Sequence, residues 1–290
     1  MARPPSTVRI ATWNIRAAIG PDEPFPPAWW RHVRRDRFER IAQVIVDLDA
    51  DIVALQEVAI LTPDGEVFDQ PLELAGLTDR HVRYAAVHAF ALVEPENERA
   101  IGAATWGNAL LTRAPIQEGI AIGLPVGGDD APVEPAGSGL ELAGVPFRDA
   151  PYGTREPRCA VGGRVALAGG DLAIVNAHLT YAGTQQRRAQ ADELARIAAG
   201  MAGPVVVTGD FNAPIEDPAL QALAGGFDDA FDAAGIAPGD PRRASCGPSR
   251  IDHLLSRGLR AIGCRVVTEA GDASDHLPIV ATFEVAAVPA

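Results

Sequence analysis

The chain has 290 residues, 47% hydrophobic and 22% charged, an ordinary globular balance that excludes a disordered, coiled-coil or collagen-like polypeptide. All 25 basic residues are arginines, set against 38 acidic ones for a net charge of −13; without lysine there is no Schiff base, no lysyl adenylate and no P-loop lysine, which disfavours ATP-driven chemistry. The acidic balance repels polyanions unless arginines cluster locally, and Cys159, Cys246 and Cys264 are spaced too widely for a disulfide framework or a thiolate zinc site.

Met1 to Pro5 leads into a strand pattern with no apolar h-region and no cleavage site, and no apolar run reaches the roughly eighteen residues of a bilayer span. A cytoplasmic protein without a transmembrane segment is the expectation. Val8 to Trp13 reads as a strand ending in Asn14. After a loop carrying Trp29-Trp30, a helix pattern puts Phe38, Ile41, Ile45 and Leu48 on one face, and Asp36 with Glu39 three residues on has the form of a capping box. A buried strand, Asp51 to Leu55, then terminates in Gln56-Glu57. Gly107 to Arg113 is a further strand whose polar start is Asn108. From Gly123 to Arg158, Gly, Pro and acidic residues break any periodicity, so residues 123–158 are expected to form a long loop insertion.

The first pattern then recurs. Leu172 to Val175 ends in Asn176-Ala177-His178, a helix follows with Leu194, Ile197, Ala198 and Met201 on one face, and Val205 to Val207 ends in Gly209-Asp210-Phe211-Asn212. The C-terminal part supplies Arg250-Ile251-Asp252-His253, Ser274-Asp275-His276-Leu277-Pro278 and a last strand, Ile279 to Val285. No linker divides the chain, so residues 1–290 are read as one domain with a core from about 7 to 284.

Side chains inside buried strands should be apolar, so Asn14, Glu57, Asn108, His178, Asp210, Asn212, Asp252, Asp275 and His276 cost desolvation unless they line a shared cleft. Carboxylates and carboxamides without a thiolate suit a hard cation, Mg²⁺ or Mn²⁺, that binds phosphate oxygens directly. Two histidines among them add donors for a charged phosphorane or a leaving oxygen. The set reads as phosphoester hydrolysis.

Thr12-Trp13-Asn14-Ile15, Leu55-Gln56-Glu57, Gly107-Asn108-Ala109-Leu110-Leu111, Asn176-Ala177-His178-Leu179, Gly209-Asp210-Phe211-Asn212, Arg250-Ile251-Asp252-His253 and Ser274-Asp275-His276-Leu277-Pro278 together resemble, in order and spacing, the endonuclease/exonuclease/phosphatase (DNase I-like) superfamily. It includes DNase I, apurinic/apyrimidinic endonucleases, inositol polyphosphate 5-phosphatases, neutral sphingomyelinases and deadenylases. The resemblance implies an α/β fold, a four-layer α-β-β-α sandwich of two mixed β-sheets flanked by helices. It also implies roles: Glu57 as principal Mg²⁺ ligand with Asn14 beside it, Asp275 as second metal-side carboxylate, and Asp210 orienting or deprotonating the attacking water. Asn212 would hold that water or a phosphate oxygen. His276, fixed by Asp252, would hydrogen-bond the scissile phosphate, and His178 would contact it from the other side. Apurinic-endonuclease-like members carry an acidic residue two positions after the first Asn; here that position is Arg16, which disfavours abasic-site repair.

Asn108 reads equally well as a strand-end tie, His253 as packing behind Asp252, and His32, His81 and His88 lie outside any cluster. Arg31, Arg34, Arg35, Arg37 and Arg40 after Trp29-Trp30 form the one basic and aromatic concentration. A solvated helix face accounts for Arg37 and Arg40, whereas Trp29 and Arg31 in the loop are candidates to grip a nucleotide or a lipid headgroup. Arg158 opens the strand before the His178 strand and is a candidate to reach the pocket. The expected function is a Mg²⁺-dependent phosphodiesterase or phosphatase acting on a small-molecule, nucleotide or lipid-headgroup phosphoester. The alternatives are a nuclease with a DNA or RNA partner and a catalytically silent binding module, against which the intact site residues argue.

Overall fold

The computed structural model describes residues 6–21, 28–126, 157–167, 170–181 and 183–285. Its elements in chain order begin β1 (Ser6–Asn14), α1 (Arg35–Asp47), β2 (Ile52–Leu61), β3 (Phe68–Asp69), α2 (Gln70–Leu77), β4 (His81–Val93), β5 (Ala100–Thr112), β6 (Ile116–Leu124), β7 (Arg158–Leu167) and β8 (Gly170–His178). They continue with α3 (Thr184–Ala199), β9 (Val205–Asp210), α4 (Gln221–Ala224), β10 (Asp228–Asp229), α5 (Ala230–Ala233), β11 (Asp252–Arg257), β12 (Arg260–Val266) and β13 (Ile279–Val285).

Two mixed sheets lie face to face between helices. The first runs β12-β13-β1-β2-β5-β4 with β3 added to β2, and the second β10-β11-β9-β8-β7-β6. Each contains one parallel pair, β1 with β2 and β8 with β9, which are the two strand-helix-strand units read from the sequence. Strand side chains alternate between faces, so Val8, Ile10, Ile52, Ala54, Ile174, Val206 and Phe283 meet in the core between the sheets. Phe38, Ile41 and Ile45 of α1 pack on the outer face of the first sheet against Trp13, Val53 and Leu55, and Leu194 and Ala198 of α3 pack on the outer face of the second against Val175 and Val207. Burying each Val, Leu, Ile or Phe among them contributes about 1.5–3 kcal/mol.

Along the inner face the central strands change character toward one end. Ile10 gives way to Thr12 and Asn14, Ala54 to Gln56, Ile174 to Asn176 and His178, and Val206 to Thr208 and Asp210. The site is therefore the polar end of a seam that is otherwise apolar.

Several sequence expectations are corrected. β2 does not stop at Gln56-Glu57 but continues to Leu61 through a bulge: Leu55 pairs Ala109 and Val58 pairs Gly107, so Gln56 and Glu57 together face Asn108. Asn108 accordingly lies within β5 instead of at its start. Gly123 and Leu124 belong to β6 and Arg158 to β7, which shortens the expected insertion, and residues 127–156 lie outside the described residues. The Asp36 capping box does not form, because α1 begins at Arg35 and the Arg34 guanidinium takes both Asp36 carboxylate oxygens, at 3.0 and 2.6 Å. Met201 lies beyond the end of α3. Strands β4, β6 and β12, unassigned from sequence, complete the sheets.

Candidate active site

The bulge in β2 decides where Glu57 points. Leu55 and Val58 both face the helix side of the sheet, and strict alternation would send Glu57 there as well. With one extra residue, Glu57 adopts φ 55° and its carboxylate joins the inner face. There Asn14 Nδ2 donates to Glu57 Oε1 at 3.0 Å and to Asp210 Oδ2 at 3.1 Å, joining a carboxylate of the first sheet to one of the second. Asn14 Oδ1 accepts from the backbone N–H of Arg16 at 3.0 Å.

Asp210 closes β9, opposite His178 in the parallel pairing of β8 with β9. The turn after it is tight: the Asn212 N–H donates to Asp210 Oδ1 at 2.9 Å, with Asn212 at φ 52°. Gly209 precedes it at φ +137°, and a Cβ there would lie 1.8 Å from Ala177 O, so glycine lets the two strands approach beside the site. Asn212 Nδ2 donates to Leu179 O at 3.0 Å and to His178 Nε2 at 2.9 Å. His178 Nε2 is therefore an acceptor, with the ring proton assigned to Nδ1, 3.9 Å from Glu57 Oε1.

On the other side, His276 Nδ1 donates to Asp252 Oδ2 at 2.8 Å, and its Nε2 stands 3.7 Å from Asp210 Oδ2. Ser245 Oγ also donates to Asp252 Oδ2, at 2.6 Å. The backbone of His276 is held by Trp13 Nε1, which donates to its carbonyl at 2.8 Å. Asp275 is more open and pairs with Arg16 Nε at 3.5 Å.

These surroundings separate the titrations. Burial first, and the Asp275 carboxylate second, raise Glu57 to about 7. Burial and Asp252 also raise Asp210. Burial lowers His178 well below the usual imidazole range, and the Arg158 charge adds to this. Burial alone would lower His276 too, but the Asp252 and Asp210 carboxylates outweigh it and hold that ring well above the ordinary value. The site thus pairs a neutral His178 with a cationic His276 across Asp210.

Asn14, Glu57, His178, Asp210 and Asn212 are joined by hydrogen bonds, the Asp252–His276 pair stands against Asp210 at 3.7 Å, and Asp275 lies at the rim. Asn108 is buried beside it and donates to Cys159 O at 2.9 Å, tying β5 to β7. Arg158 is buried, and its charge acts on both Glu57 and His178. The loop pair is not at the site. Trp29 is 1% exposed, edge-on to Trp106 at 4.8 Å, which leaves no ring face for a base. Arg31 is outward and bound bidentately by Glu96, at 2.6 and 2.9 Å. Sequence reading missed Ser245 and set His88 aside; His88 is buried in β4. No motif marks either one. His253 stacks on Phe211 at 5.1 Å and donates from Nε2 to Ala213 O at 2.8 Å, so it packs behind Asp252.

Glu57 and Asp275 fit a hard cation: the Asp275 carboxylate adds to the cost of ionising the buried Glu57, which a divalent ion relieves. Asp210, Asp252 and His276 also bring ligand atoms within 4.8 Å of one another. In that group His276 Nδ1 and Asp252 Oδ2 are bound to each other at 2.8 Å.

Comparison with known proteins bears on the fold and the family. A UPF0294 protein of Vibrio campbellii (strain ATCC BAA-1116) is 28% identical over 146 residues, 48% of this chain and 51% of that protein, so the chain spans about half the length of that curated relative. The solved endonuclease/exonuclease/phosphatase from Beutenbergia cavernae DSM 12333 superposes with a TM-score of 0.66 at 24% identity, covering 96% of this chain and 72% of that one. The human Nocturnin catalytic domain, solved with a bound sulfate anion, gives a TM-score of 0.63 at 18% identity over 97% and 95% of the two chains. The family model described as Endonuclease/Exonuclease/phosphatase family matches residues 11–276, and the chain belongs to that family.

Proposed function

We propose that the chain is a Mg²⁺- or Mn²⁺-dependent phosphoesterase that hydrolyses a small-molecule, nucleotide or lipid-headgroup phosphoester by direct in-line attack of water. The observation that carries this reading is the seam itself, where one amide, Asn14, joins Glu57 and Asp210 between a neutral and a cationic histidine. Asp210, its carboxyl raised toward neutrality by burial, accepts the proton of the attacking water. The turn amide of Asn212 keeps that carboxylate oriented. His276, kept cationic by Asp252, donates to a phosphate oxygen and stabilises charge built up in the transition state. Arg158 adds a buried positive charge on the His178 side. A bound divalent cation, held by Glu57 and Asp275 with Asn14 adjacent, would neutralise phosphate oxygens and the developing charge.

Little supports the nucleic-acid alternative. In the one basic stretch Arg31 pairs with Glu96, Arg34 with Asp36 and Arg35 with Glu73, while Arg40 donates to Glu269 O, so most of its charge is spent within the protein. The test is a panel of plasmid DNA, RNA, bis-p-nitrophenyl phosphate, sphingomyelin and inositol phosphates, each with Mg²⁺, Mn²⁺ or excess EDTA. Turnover of a small ester or headgroup that EDTA abolishes is expected. Undiminished turnover in EDTA overturns the cation assignment, and cleavage confined to DNA or RNA overturns the substrate class.

A further inference from the structure

Gln56 and Asn176 stand one step deeper along the seam than Glu57 and His178, fully buried and unused in the chemistry above. Asn176 belongs to β8 of the second sheet, yet its Nδ2 donates to two carbonyls of the first, Leu55 O and Ala109 O, each at 2.9 Å. Leu55 and Ala109 are the last regular β2–β5 pair before the bulge that turns Glu57 inward. Gln56, itself on the bulge, donates from Nε2 to Asn176 Oδ1 at 2.7 Å and to Thr12 Oγ1 at 3.1 Å. The two amides thus span the gap between the sheets directly beneath the site.

The bulge needs such a hold. Glu57 sits at φ 55°, a left-handed conformation that costs a side-chain-bearing residue energy and persists only when its surroundings over-determine it. Apolar packing between the sheets would also tolerate small slips of one sheet over the other, whereas amide hydrogen bonds at 2.7–2.9 Å specify one register. We infer that Asn176 and Gln56 are positioning residues, a clasp between the sheets that holds the β2 bulge and through it sets the Glu57 carboxylate against Asn14 and Asp210. Its catalytic consequence rests on the phosphoesterase reading. Its geometric content does not.

The test compares Gln56→Met, Asn176→Leu and the double variant, which replaces both amides by apolar side chains of similar size. The expected result is a folded double variant whose crystal structure keeps the core but loses the 3.0 Å Asn14 to Glu57 contact. Calorimetric Mg²⁺ affinity should weaken, and kcat should fall ~10- to 100-fold with KM held within about twofold, the signature of misplacement rather than lost binding. A folded double variant with that contact intact and Mg²⁺ affinity and kcat unchanged overturns the clasp. Should the double variant not fold, Gln56→Met decides alone, since it leaves both Asn176 bonds to the first sheet. A wild-type protein inactive on every ester would sink the phosphoesterase reading instead, and the Asn14 to Glu57 distance in the variants would still decide the clasp.

Discussion

Glu57 makes cation binding at the site pH-dependent. Its carboxyl is raised from 4.5 to about 7 by burial and by Asp275, so between those values the folded cation-free protein holds a proton that the unfolded chain has released. Because the folded state keeps that proton, the Glu57 contribution to the stability of the cation-free protein falls as pH rises through that window, while the lowered His178 acts in the opposite sense below the ordinary imidazole value. A divalent cation needs the ionised form. Mg²⁺ binding should therefore release close to one proton near about pH 6 and almost none above about pH 8, read by calorimetry in buffers of different ionisation enthalpy. Proton release that does not vary with pH would remove Glu57 from the cation's coordination. At His276 the expectation concerns coupling. Because Nδ1 is bound to Asp252 at 2.8 Å, Asp252→Ala and His276→Ala should each lower kcat by ~10² to 10⁴, and the double variant should be little worse than either. Fully multiplicative losses would mean that the two side chains act independently.

Among the elements, the crossing of β8 and β9 depends on glycine. A Cβ on Gly209 would lie 1.8 Å from Ala177 O at a backbone φ of +137°, so Gly209→Ala must spread the strands that carry His178 and Asp210. Urea unfolding should show a loss of at least about 2 kcal/mol together with lost activity. Gly203→Ala is the control, at φ +76° with open space around its Cβ, and should cost about 1 kcal/mol and leave activity intact. A Gly209→Ala protein matching that control would contradict the close approach. The polar strand ends are legible in sequence because Asn14, His178 and Asp210 each interrupt an apolar run where only a site repays the desolvation. The bulge is not legible. Gln56-Glu57 ends an apolar run in the same way, and only the pairing partners reveal that the strand continues. Trp29 and Arg31 mislead for a related reason, since adjacency in sequence to Asn14 says nothing of the Trp106 ring and the Glu96 carboxylate that claim them.

For the whole molecule, a net charge of −13 and the self-paired arginines of α1 and its approach predict how substrate size and salt interact. Two charges on exposed surfaces are largely screened beyond about 10 Å at 0.1 M salt, while the buried charges around Asp210 are screened far less. A small phosphoester entering the seam senses mainly the local Arg158 and His276 charges, so its kcat/KM should change little between about 0.02 and 0.3 M salt. A polyanion must bring many phosphates against the acidic exterior, and any residual action on DNA should increase with salt as that repulsion is screened. A protein built to track a nucleic-acid backbone behaves oppositely, losing affinity steeply as salt rises because bound counterions are no longer released to advantage. Salt titrations of kcat/KM on bis-p-nitrophenyl phosphate and on plasmid DNA therefore separate the two substrate classes by the sign of one slope. A steep fall for DNA would reveal a basic track across the molecule and transfer the reading from small esters to nucleic acid.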